Sequence, residues 1–228
     1  MKKLKSFKSK VVSGSINKIM PHIYAVIVKN DYDRGMLFCR YQEFYESPFP
    51  EIRNKEFTLE ELMRTYVKKN KSGMFTYPAD WAGYNIPSDV LKKGQKVFFK
   101  TNNLYDDVMA DIISCCDKHS KNEKFYLIGA DKLSSDVMDH EIAHGLYYTN
   151  PEYKLEVNEI IKTIPTKTYN YLNKELVKMG YVDIKSIIDD EIQAYLSTVP
   201  HSTWKESSII LKKTFKKNFL KFKNYEKK

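Results

Sequence analysis

Two stretches near the start of the chain are dense in apolar, β-branched and aromatic residues, HIYAVIVK (22–29) and GMLFCRYQEFY (35–45). With the turn-forming NDYDRG between them, they predict two strands. A helix is predicted from Thr58, where T-L-E-E sets Glu61 three residues on in a capping box. Residues 71–90 hold Gly, Pro and aromatics without a period, and read either as the wall of a substrate cleft or as ordinary packing of Trp81 and Tyr84. KVFFK (96–100) predicts a strand, and Asn103 to His119 a helix with apolar Leu104, Val108, Ile112, Cys115 and Cys116. KFYLIGA (124–130) is a further strand, after which Ser134 and Ser135 are expected to cap the next helix. Pro165 and Gly180 bracket another helix, and Asp183 is expected to cap a last core helix ending near Thr198. The succession is α+β, sheet-rich over 11–130 and helical over 131–204, read as one domain without internal repeats.

The helix after Ser135 carries D-H-E-I-A-H-G-L-Y-Y. Four-residue spacing puts His140 and His144 one turn apart on one helix face, where both imidazoles can reach a single ion. Glu141, about 100° around the helix, can contact a metal's water without ligating the metal. Two nitrogen ligands, an open position and an adjacent carboxylate are the requirements of a zinc hydrolase. The plainer reading is two histidines on a helix surface. Gly145, mid-helix, costs about 1 kcal/mol relative to Ala and so wants a reason such as close backbone approach.

A third ligand should follow. The residues after Gly145 are LYYTN, so the HExxHxxGxxH pattern of metzincins is absent. Further on, in I-I-D-D-E-I-Q-A-Y-L, the positions Ile184, Ile187, Ile188, Glu191 and Tyr195 share one helical stripe, with Asp189 and Asp190 away from its centre. Glu191 is thus a carboxylate in an apolar face, which calls for a cation, a strong donor or a proton. Zinc meets that demand; a Lys or a tyrosine hydroxyl would also do so.

HEIAH followed 47 positions later by Glu191 in D-E-I-Q-A-Y resembles the gluzincin branch of the zincin metallopeptidases. Those enzymes bind zinc with HExxH on one helix and a Glu on a following helix, often in an N/D-E-x-x-A context that Asp190, Glu191 and Ala194 match. The resemblance covers roughly residues 124–198. It implies Zn2+ held by His140, His144 and Glu191, hydrolysis of a peptide or protein substrate with Glu141 as general base, and a small twisted sheet packed on the HExxH helix. Tyr195 departs from the pattern, standing where many members carry an Asp that supports a ligating histidine. Such support would then come from Asp139 or Asp190. For the developing oxyanion the candidates are His201 and Tyr195, with Tyr147 and Tyr148 close behind the motif. His22 and His119 have no partner pattern and read as non-functional.

Composition changes the picture little. An apolar share of 42% and an aromatic share of 14% over 228 residues suffice for a core and argue against general disorder. No apolar run approaches the roughly 20 residues of a membrane span. The start MKKLKSFKSK lacks the hydrophobic segment of a signal peptide, so a cytoplasmic protein is expected. Three cysteines without CxxC spacing read as reduced thiols.

Charge is concentrated at the ends. Residues 1–10 carry +5 and residues 205–228 carry +7, so against a net charge of +9 residues 11–204 carry −3. A basic arm and a basic tail could make weak contact with nucleic acid or another anionic surface. The alternative to an enzyme is therefore an inactive zincin-like binding or structural protein attached through these ends. Oligomeric state is not legible.

Overall fold

The computed structural model describes residues 1–70, 72–81, 83–133, 136–198 and 209–225. The chain divides into two compact units, Met1–Ser134 and Ser135–Lys228.

In the first unit β1 (Lys2–Lys8), β2 (Ser13–Met20) and β3 (Ile23–Ile27) form an antiparallel meander. β3 then runs parallel to β5 (Tyr126–Ala130), with Tyr24 opposite Leu127, and β4 (Tyr84–Pro87) closes the far edge antiparallel to β5. The order is β1-β2-β3-β5-β4, a mixed five-stranded sheet. β5 is buried throughout and β3 over all but its last residue, which is why 22–29 and 124–130 were legible as apolar runs. β1 was not anticipated as a strand. It is the outer strand, with lysines 2, 3, 5 and 8 exposed along it, a composition that discourages pairing with another chain.

Residues 35–45, predicted as a strand, lie instead in helix α1 (Asp31–Glu46). Asn30 caps it by accepting the Asp33 N–H at 2.9 Å, and Asp31 and Asp33 occupy the first turn, where the helix dipole favours negative charge. Met36 through Tyr41 are buried without a break, so no polar face marks the helical period and the run imitates a buried strand. KVFFK is likewise not a strand. Val97 ends α4 (Ser88–Val97), and Phe98–Lys100 form one 3-10 turn with Phe98 buried and Phe99 exposed.

The Thr58–Glu61 capping box starts α2 (Leu59–Lys69) as read, and a second one, Asn103 with Asp106, starts α5 (Leu104–His119). Segment 71–90 supplies the short helix α3 (Tyr77–Asp80) and strand β4, where Tyr84 stacks on Phe38 at 5.2 Å while Trp81 stays exposed. All three cysteines are free thiols.

The second unit is helical among the described residues: α6 (Asp136–Thr149), α7 (Pro151–Lys162), α8 (Thr166–Lys178), α9 (Lys185–Thr198) and α10 (Ile209–Tyr225). Pro165 and Gly180, the latter at φ +105°, bracket α8 as expected. Asp183 lies ahead of α9 and accepts from the Asn173 amide at 3.1 Å. α7 escaped the sequence reading although Asn150 caps it and Pro151 stands in its first turn. α9 is the central element, packed by α6, α8, α10 and α7. Much of the basic tail is α10, a helix that buries Phe215, Phe219 and Phe222. Ser134, Ser135 and His201 lie outside the described residues. Among those described, no helix is long and apolar enough to cross a membrane.

One buried cation organises the helices of the first unit. Arg40 on α1 donates to the Thr101 carbonyl at 3.0 Å, to Thr101 Oγ1 at 3.1 Å, to the Phe57 carbonyl and to Asp106, and lies 4.0 Å above the Phe98 ring. Asp106→Ala strands that guanidinium away from water, so the expected loss is about 3–5 kcal/mol in denaturant unfolding. A loss below about 1 kcal/mol would mean that the pair contributes nothing beyond a surface bridge.

Candidate metal centre

α6 packs on α9, and the contact brings the candidate ligands together. On α6 the rings of His140 and His144 stand with centroids 4.8 Å apart and their Nε2 atoms 3.2 Å apart. From α9, Glu191 places Oε1 3.6 Å from His144 Nε2 and Oε2 3.7 Å from His140 Nε2. Two ligands about 2.0–2.1 Å from a tetrahedral zinc lie about 3.3 Å from each other, so these separations suit one face of such a site. His140, His144 and Glu191 could therefore hold a metal ion. The donor set, two imidazoles and one carboxylate, is of the type that leaves a fourth position open.

The group is removed from solvent: His144 is 3% exposed, Glu191 8% and Glu141 7%. Burial and the neighbouring His144 push His140 down to about 3. Burial also disfavours a charged His144, but the carboxylates of Asp190, Glu191 and Glu141 override it and hold that imidazole well above its ordinary value.

Asp190 explains which ring nitrogen faces the carboxylate of Glu191. Its Oδ1 sits 2.9 Å from His144 Nδ1, so this nitrogen carries the hydrogen and Nε2 is left to point inward. Helical-wheel reasoning set Asp190 away from the stripe, but one position before Glu191 is enough to reach the outer side of His144. Asp139, the other candidate support, pairs with Lys223. Asp189 is engaged elsewhere, accepting from Tyr169 at 2.8 Å and Lys185 at 2.6 Å.

Tyr195 packs edge-on against His140, centroids 4.6 Å apart. Its hydroxyl lies 3.1 Å from that of Tyr181, a residue the sequence reading missed because it falls in the turn between α8 and α9. Burial, together with the charges of Glu191 and Glu141, raises both phenols, so both stay protonated donors. Tyr147 is committed to Asn158 at 2.7 Å. His22 faces Glu123 at 3.4 Å and His119 the Cys115 carbonyl at 2.8 Å, both in the first unit. Comparison with protein-family models, curated proteins and solved structures finds no match to this chain.

Asp190→Asn keeps the shape and removes the charge that fixes His144. The expected result is a loss of about tenfold or more in zinc affinity, measured by chelator competition. An unchanged dissociation constant would mean that His144 is positioned without this carboxylate.

Proposed function

We propose that the chain is a zinc metallopeptidase of gluzincin type, with a zincin-like fold. The observation that supports this most is the convergence of His140, His144 and Glu191, with the buried carboxylate of Glu141 beside them. His140, His144 and Glu191 would hold a zinc ion, which would supply Lewis acidity to a carbonyl and to water. Glu141 takes the proton of the attacking water on its carboxylate and delivers it to the amine nitrogen as the peptide bond breaks. The hydroxyl of Tyr195, on the ring packed against His140, and that of Tyr181 beside it are neutral donors, and in this reading one of them meets the developing oxyanion. His201 keeps the role expected of it from the sequence only as part of the same proposal.

The test is hydrolysis of a mixed peptide library by zinc-loaded protein, wild type against Glu141→Gln. Wild type is expected to cleave. The variant should keep its zinc and lose about 100-fold or more in rate, the scale of a general base. Zinc-loaded wild type that cleaves nothing, or a variant that cleaves equally well, would contradict the proposal. Either would favour a binding or structural protein whose Lys-rich ends meet an anionic surface.

A further inference from the structure

Behind the Asp190–His144 contact the hydrogen bonds continue inward. Gln193, one turn along α9 and without solvent exposure, donates through Nε2 to the same Asp190 Oδ1 at 2.9 Å. Its Oε1 accepts from the hydroxyl of Tyr153 on α7 at 2.7 Å. Tyr153 is also fully buried, and Phe222 of α10 packs edge-on against its ring, centroids 5.3 Å apart.

Each link has one direction. A carboxylate only accepts, so the amide end turned to Asp190 must be the NH2 and the end turned to Tyr153 must be the carbonyl. The phenol therefore donates, Gln193 donates, and Asp190 is left to accept the His144 Nδ1–H. Flipping the amide would set its oxygen against the Asp190 oxygen, so no second arrangement of equal energy exists. Gln193 is fully buried, and burying a Gln without partners costs about 1–3 kcal/mol.

We infer that Tyr153 and Gln193 are positioning residues for the metal centre, a one-way hydrogen-bond relay that holds Asp190 and, through it, the Nε2 lone pair of His144. The inference rests on the reading of His140, His144 and Glu191 as a metal site. It also gives the C-terminal helix a task, because Phe222 seats the first member of the relay.

The test is zinc affinity of the full chain by chelator competition, with the visible spectrum of the cobalt-substituted protein as a second readout. Gln193→Met is expected to weaken zinc binding about 10-fold or more, within the range for outer-sphere partners of a ligating His, and to alter the cobalt spectrum. Tyr153→Phe, which keeps the ring, should give a smaller shift in the same direction and serves if Gln193→Met does not fold. Leu172→Ala, a buried truncation on α8 outside the hydrogen-bonded chain, is the control for simple destabilisation and should leave both readouts as in wild type. If the control shifts as far as the relay variants, or Gln193→Met and Tyr153→Phe both bind as wild type, the relay is overturned while the metal site stands. A wild type that takes up no zinc overturns both.

Discussion

The second unit is organised around one costly arrangement, a buried carboxylate facing one buried and one half-buried imidazole across the α6–α9 contact. Carboxylates and imidazoles gathered away from water are tolerated only if positive charge sits among them. The carboxylates of Asp190, Glu191 and Glu141 favour positive charge on His144 against the effect of burial. A divalent cation held by His140, His144 and Glu191 would meet the same demand. The helix contact that defines the unit's core is therefore also the one that defines the site.

The ligands were legible because two local periodicities carry them. His140 and His144 fall one helical turn apart, and Glu191 interrupts the stripe of Ile187, Ile188 and Tyr195, so each helix alone announces a polar group on an inward face. What surrounds them was legible only in part: Asp190 was one of two candidates for supporting a ligating histidine, and Tyr195 was expected near the site. Asp190 lies off the stripe, and only the α6–α9 distance shows that its carboxylate reaches the far side of His144. Tyr181 and Tyr153 belong to other segments, and no spacing rule links a residue after α8 or on α7 to a ligand on α6. Long-range side-chain partners of this kind are fixed by packing, which leaves no period in the sequence.

The same limit accounts for the misread elements. In α1 burial on successive positions removes the polar face by which a helix is recognised, and the aromatic, β-branched content of KVFFK imitates a strand where α4 ends. Strands 22–29 and 124–130 were legible because they are central and apolar. β1 was hidden by its lysines, which are suited to an exposed sheet edge. Lysines also hid α10. Phe215, Phe219 and Phe222 recur at helical spacing beneath them and pack this segment onto the unit that holds the candidate metal ligands.

The central claim is that His140, His144 and Glu191 form one metal site, and zinc per chain in purified protein tests it most directly. The account predicts about one zinc in wild type and severe loss in both His144→Ala and Glu191→Ala, since each removes a ligand from a different helix. Wild type that holds no zinc after resupply at neutral pH would contradict it, as would variants that hold as much as wild type.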